Sequence, residues 1–368
     1  MRILPASDEN IRLAAKSLRR GHLVAFPTET VYGLGADAFN VSALAKVFAA
    51  KRRPRFDPLI IHIASLPDLE QVADLSVLAP EIREKIRALT ICLWPGPLTL
   101  ILPKRPEVPG LATSGLSTVA VRFPDHPVAQ KLILLSTGAV AAPSANPFGY
   151  LSPTRAEHVR DQLGDEVALI LDGGRTSVGV ESTVLDLCSG SPRILRPGGS
   201  SRERIEGIIG PVEFPVPGDT RASTPGHPPV PEPLVSPGQM KSHYAPRTPL
   251  SLHRRAEMIS LADNPAEGFL FFDGPSRRAW FQRGGLFDAA LFREGGASPE
   301  GHQAPEETRI RTLSETGDMT EAAANLFDLL HGLDRLGLSR LRAEEVPETG
   351  LGAAVNDRLR RAAIAASR

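Results

Sequence analysis

The sequence predicts a two-domain α/β protein, and three observations carry that prediction. Helix-period and strand-period segments alternate over residues 1–210, prolines crowd the stretch that follows, and a shorter α/β alternation resumes beyond it. In order, residues 8–20 carry Ile11, Ala14, Ala15 and Leu18 on one helical stripe, which Gly21 stops. Strands are expected at 23–26, 59–64, 98–102, 119–123, 139–142, 168–171 and 184–187, with helices between them at 42–51, 80–89, 126–135 and 154–163. That mixture implies a mixed sheet. Nine of the 34 prolines fall between Pro211 and Pro237. Such density stops helices and removes ladder donors, so 211–248 is expected to be a linker. Beyond it, 268–272 reads as a strand, 319–336 as an amphipathic helix and 356–366 as a terminal helix, giving a small α/β domain over 249–368. The stretch 277–308 has weak periodicity and receives no assignment.

Charge and composition exclude several function classes. Across 368 residues, 42 Lys+Arg balance 42 Asp+Glu. A protein that grips nucleic acid by its phosphates carries a basic surplus. Here residues 1–210 hold 24 basic and 21 acidic side chains and the remainder 18 and 21, so neither part is a basic arm. The cations are 35 arginines and 7 lysines, a ratio that fits either bidentate phosphate recognition or a GC-rich coding bias. Cys92 and Cys188 are far apart and form no CxxC, which argues against zinc, iron–sulfur and disulfide frameworks and fits a reducing cytoplasm. No apolar run approaches the ~18 residues that span a bilayer, and the N-terminus has no signal-peptide pattern. A soluble, cytoplasmic protein is expected.

No GxxxxGK[ST] phosphate loop and no HExxH occurs. Residues 33–38, GLGADA, match a dinucleotide fingerprint in letters only, because PTETVY separates them from the preceding strand and the next helix starts near Ser42. Gly33 and Gly35 are expected instead in a tight turn or in close backbone packing. KRRPR at 51–55 ends a helix whose dipole favours cations there, so Lys51, Arg52, Arg53 and Arg55 are either cap charges or one wall of a phosphate site. His62 interrupts the apolar run LIIHIA, as a satisfied core histidine or as a polar contact at a strand end, where ligand crevices of α/β sheets lie. Arg122 stands in TVAVRFP. A buried guanidinium there needs solvent or an anion, and a ligand carboxylate would serve. APSANPFGYLSPT (142–154) follows a strand with Ser144 and Asn146, forming a ligand loop or a turn. GVESTVLDL and RILRPG put Ser182, Thr183 and Arg196 on a strand and the following turn.

Taken in order, PTETVYGLGADA, KRRPRFDPLIIHI, TVAVRFPDHP, APSANPFGYLSPT, ESTVLDL and RILRPG resemble the YrdC-like domain of the L-threonylcarbamoyladenylate synthase family. SPGQMKSHYAP (236–246) resembles the segment that marks the family's long form, and 325–363 its small C-terminal domain. The resemblance implies a YrdC-like twisted mixed-sheet catalytic domain at 1–210, a Pro-rich linker at 211–248, and a smaller Rossmann-like α/β domain at 249–368. It implies a nucleotidyltransferase that condenses L-threonine, bicarbonate and ATP to threonylcarbamoyl-AMP and pyrophosphate. A downstream threonylcarbamoyl transferase machinery would then make threonylcarbamoyladenosine in tRNA. Magnesium would accompany ATP, with no organic cofactor, no membrane and no strong direct tRNA binding.

The same resemblance assigns L-threonine to Thr30, His62, Arg122, Ser182 and the backbone of Ala142. It assigns ATP to Lys51, Arg53, Asp57, Thr118, Ser144, Asn146, Ser152, Arg196 and Tyr244, with Lys51 and Arg53 catalytic. Lys51 with Arg53, and Ser144 with Asn146, match the family's KxR and SxN signature. Asp57 departs from the Asn of many relatives, and a carboxylate beside a triphosphate is repulsive unless it faces magnesium or a base. Residues 211–246 are expected either to close over the site as a lid that brings Tyr244 to the nucleotide, or to act as a spacer. The alternative function is a non-catalytic RNA-binding YrdC-like module. A hydrogenase-maturation carbamoyl-transfer factor would need paired CxxC motifs that this sequence lacks.

Overall fold

The computed structural model describes residues 2–214, 243–283 and 309–365. The chain divides into two compact units, Met1–Lys241 and Ser242–Arg368. Most of the expected linker, at 215–242, lies outside the described residues, as does 284–308 of the unassigned stretch.

In the first unit, β1 (Arg2–Pro5) leads into α1 (Asp8–Arg19), which starts where the Ser7 side chain accepts the Asn10 N–H and Asp8 and Glu9 face the positive end of the helix. Then come β2 (Val24–Phe26), β3 (Gly33–Asp37), α2 (Val41–Lys51), β4 (Ile60–Ile63), α3 (Leu69–Val72), α4 (Pro80–Leu93), β5 (Leu98–Pro103) and β6 (Thr118–Arg122). The unit continues with α5 (Pro127–Leu135), β7 (Ala139–Ala141), α6 (Ala156–Leu163), β8 (Leu169–Asp172), β9 (Thr183–Asp186), β10 (Arg193–Arg196) and α7 (Arg202–Ile209). Its strands form one ten-stranded mixed sheet in the order β1-β8-β2-β3-β7-β4-β6-β5-β9-β10. Successive side chains of a strand enter opposite layers. Thus Ala25 joins Leu44, Val47, Leu89 and Val159 in one core, while Val24 and Phe26 join Ile11, Leu18 and Leu132 in the other. On that second face, over β4, β5, β6 and β9, lies a small apolar cluster of Ile60, Ile101, Ala120 and Val184.

GLGADA forms strand β3 rather than a tight turn, and the close-packing half of the expectation holds. A Cβ at Gly35 would stand 2.8 Å from the Phe26 ring and 3.0 Å from Val140. Arg196, expected in the turn after β9, instead ends strand β10, paired with Val184, and β1 and α7 have no clear periodic signal in the sequence.

In the second unit, β11 (Leu250–His253), α8 (Arg255–Ser260), β12 (Glu267–Asp273), α9 (Gly274–Gln282), β13 (Ile310–Ser314), α10 (Met319–Asp334), β14 (Arg340–Glu344) and α11 (Gly352–Ala365) alternate. The four strands are all parallel, in the order β11-β14-β12-β13, as a Rossmann-like domain requires. Phe269, Phe271 and Trp280 pack with Met258 and Phe281 in its core. Among the described residues, no helix is long and apolar enough to cross a membrane, and Cys92 and Cys188 are free thiols.

Candidate active site

Strand register puts polar residues that are distant in sequence on one line. Across β7, β4, β6, β5, β9 and β10 the paired positions run Val140, His62, Arg122, Thr99, Val184 and Arg196. Directly paired residues share a face of the sheet, so His62, Arg122, Thr99 and Arg196 form a row at the edge of the small apolar cluster. Thr118 opens β6, four positions before Arg122, and the period of two puts it on the same face.

Arg122 is buried and richly contacted. It donates to Thr30 Oγ1 at 2.9 Å and more weakly to the Gly96 carbonyl at 3.4 Å, and its Nη2 lies 2.6 Å from a Glu29 carboxylate oxygen. That last contact is an ion pair whose angles form no hydrogen bond, and neither Glu29 oxygen accepts one. Thr28 and Thr30 hydroxyls lie 2.8 Å apart in the loop after β2. His62 stands edge-on to Phe26, with Nδ1 unbonded. Burial, and then the adjacent Arg122 charge, push its pKa down to about 3, so the imidazole is neutral near pH 7. The Ala142 N–H is already given to the Ile60 carbonyl at 2.9 Å. The Ser182 hydroxyl meets Thr99 Oγ1 at 2.7 Å and accepts from Arg196 at 3.2 Å.

A second cluster gathers at the end of α2. Arg52 caps that helix in the left-handed conformation, φ 52°, turning the chain between Lys51 and Arg53. Lys51 is buried and donates Nζ hydrogens to the Ser144 carbonyl at 2.5 Å and to the Asn146 carbonyl. Burial first, and the Arg53 charge second, hold its pKa well below the ordinary lysine value. Arg53 donates to the carbonyls of Asp57 and Pro58 at 3.0 and 2.7 Å and pairs with the Asp57 carboxylate at 2.8 Å. Asp57 is fully buried and neither carboxylate oxygen takes a hydrogen bond. Burial raises its pKa, while Arg53, Lys51 and Arg196 pull the other way. The Asn146 amide donates to the Pro147 and Tyr150 carbonyls, leaving its oxygen unbonded. Ser152 donates to Glu181, and Arg196 grips the Ser182 carbonyl through Nε at 3.2 Å and Nη2 at 2.9 Å. Glycine is required at 198, where a Cβ would stand 2.3 Å from the Glu181 carbonyl oxygen.

The structure therefore brings Thr30, His62, Arg122 and Ser182 together, and Lys51, Arg53, Asp57, Ser144 and Asn146 together, with Arg196 linked to both sets. Tyr244 belongs to the second unit, where it is 2% exposed beside Phe327 and beneath the Arg358 guanidinium, 5.0 Å from the ring. Glu29, Thr99 and Glu181 complete the site and escaped the sequence reading. Glu29 lies in PTETVY, where pairing the buried Arg122 with an acid would point to it, whereas Glu181, in ESTVLDL, is held by the Ser152 hydroxyl. Thr99 offers no local signal.

The Sua5/yciO/yrdC family model, described as telomere recombination, matches residues 16–198, and that of the threonylcarbamoyl-AMP synthase C-terminal domain matches 201–364. The threonylcarbamoyl-AMP synthase of Pyrococcus abyssi is 43% identical over 96% of this chain and 93% of its own length. The chain belongs to the threonylcarbamoyl-AMP synthase family. The family's Bacillus subtilis member is 40% identical over 98% of this chain and 94% of its own. The crystal structure of P. abyssi Sua5 complexed with L-threonine covers 99% of this chain and 98% of that one, with a TM-score of 0.78 and 38% identity. Membership makes the chain an enzyme of nucleotidyltransferase type, and both units have the expected fold class.

Proposed function

We propose that this chain condenses L-threonine, bicarbonate and ATP to threonylcarbamoyl-AMP and pyrophosphate. The observation that carries this reading is the in-register row, which runs from Arg122 and the hydroxyls near it to Arg196, whose charge acts on Asp57 together with those of buried Lys51 and Arg53. The planar fork of Arg122 suits the threonine carboxylate. Thr30 and Ser182 offer hydroxyls to its amine or carbamate end. The amine attacks bicarbonate with loss of water, giving a carbamate. One carbamate oxygen then attacks the α-phosphorus in line as the bond to pyrophosphate breaks, so no protein nucleophile is needed.

In its ammonium form, which a nearby polyanion favours, Lys51 carries three N–H donors, two of them held by the carbonyls of Ser144 and Asn146. The third is left for a phosphate oxygen. The buried amine, short of charge stabilisation, gains it from a polyanion beside it. Lys51 and Arg53 thereby meet the charge that develops on the leaving pyrophosphate, from positions fixed before the reaction. Among the described residues, no group of three or more His, Cys, Asp or Glu side chains could hold a metal. Glu29 and Asp57 each face an arginine. These residues do not build a magnesium cage, so any magnesium accompanying ATP would be carried by the triphosphate, where it would neutralise phosphate charge.

The adenylate passes to a downstream transferase machinery for threonylcarbamoyladenosine formation in tRNA, in the cytoplasm. Zero net charge supports hand-over rather than a strong grip on tRNA. Pyrophosphate release should require both L-threonine and bicarbonate. Release that ignores threonine overturns the reading, and salt-dependent RNA binding without such release would favour the non-catalytic module.

A further inference from the structure

We propose that Glu29 binds the α-ammonium group of the amino-acid substrate, so that Glu29 and Arg122 form a fixed charge pair for a zwitterion; this rests on the function proposed above. Glu29 is 6% exposed, and its backbone is pinned because its carbonyl accepts the Val178 N–H at 2.7 Å. Its carboxylate lies 2.6 Å from Arg122 Nη2, yet neither oxygen accepts a hydrogen bond. A carboxylate offers about four lone-pair sites, and burying them without donors is costly. The Thr28 hydroxyl is turned to the Val31 carbonyl and the Thr30 hydroxyl receives Arg122, so neither neighbour supplies the missing donor.

The pair is electrically neutral, and that decides what it selects. A ligand with only a carboxylate must draw Arg122 away from Glu29 and leave a buried acid unpaired. An amino acid brings both halves: a carboxylate for the guanidinium fork and an ammonium with three N–H donors for Glu29. Once the ammonium has given up a proton to solvent and the free amine has been carboxylated, the new group is an anion, and ionised Glu29 repels it instead of holding it. The same residue thus recruits the amine and pushes its carbamate away from the carboxylate that held it.

Calorimetric titration of the full chain with L-threonine and with 3-hydroxybutanoate, which is threonine without the amino group, tests this. The unsubstituted chain should bind L-threonine at least tenfold more tightly. Glu29→Gln should lose that preference by weakening L-threonine at least tenfold while leaving 3-hydroxybutanoate unchanged or tighter, and Glu29→Asp should restore part of it. Wild-type threonine affinity in Glu29→Gln overturns the proposal, as does equal weakening of both ligands, which would show that Glu29 only positions Arg122. If Glu29→Gln does not fold, equal affinity of the unsubstituted chain for the two ligands overturns it alone. A chain that binds neither ligand overturns the proposed function as well, an outcome distinct from the others.

Discussion

In the first unit, Glu29 and Asp57 are buried 2.6 and 2.8 Å from arginines and take no hydrogen bonds. In the second, Glu344 is buried beside Arg255 but accepts the Phe272 N–H at 2.9 Å, and Glu267 receives Arg342 in a two-pronged contact at 2.8 and 2.9 Å. Glu29 and Asp57 are thus under-bonded, whereas Glu344 and Glu267 accept hydrogen bonds beside their arginines. A saturated pair holds strands together; an under-bonded one retains electrostatic capacity for something that arrives. Lys51 belongs to the second kind, with one donor left over after its two carbonyl contacts.

Lys51→Met preserves the stem and removes the ammonium, and should lower threonine-dependent pyrophosphate release by about 10² to 10³-fold. Its unfolding temperature should move by only a few degrees; a variant largely unfolded at the assay temperature would class Lys51 with the structural charges instead. In the second unit the order reverses. Glu344→Ala strips the acceptor from the Phe272 N–H and should cost about 1–3 kcal/mol in urea unfolding. Its turnover per folded molecule should stay unchanged, and a selective loss of turnover would break the contrast.

His62 sharpens the comparison through pH. Its folded pKa of about 3 lies below the ordinary 6.5, so the unfolded chain binds the extra proton between those values and stability falls as pH drops through that window. His62→Gln should flatten this slope between about pH 6.5 and 3 in unfolding titrations; an unchanged slope would assign the acid sensitivity elsewhere. The smallest effect concerns Asp57. Asp57→Asn removes a negative charge beside the cations and should lower the KM for ATP by about threefold. A higher KM would mean that the Arg53 pair serves to aim the guanidinium, making Asp57 structural after all.

Local periodicity made much of the fold readable. The Ile11, Ala14, Ala15 and Leu18 stripe is the buried face of α1. β3 was hidden because Gly33 and Gly35 look like turn residues, whereas the pressure of Phe26 and Val140 on the backbone is what demands them. In β14, Arg340, Arg342 and Glu344 mask the buried Leu341 and Ala343 that fix the register. At the site, His62 and Arg122 stood out because each breaks an apolar run. That they are neighbours is a fact of the β4–β6 pairing, which no local pattern encodes. Thr99 reaches Arg122 through the β5–β6 pairing and Glu29 through the loop after β2, long-range contacts of the same kind.

The 143–148 loop carries one more consequence. The Pro143 carbonyl accepts the Leu34 N–H, the Ala145 N–H goes to the Tyr32 carbonyl, and the Phe148 N–H goes to the Lys51 carbonyl. A loop sewn to separate elements in this way has little freedom left to lose. Its amides should exchange with deuterium as slowly as those of neighbouring strands, before any nucleotide is added. Ligand capture at this wall would then carry almost no ordering entropy, and affinity there would depend on charge and fit alone.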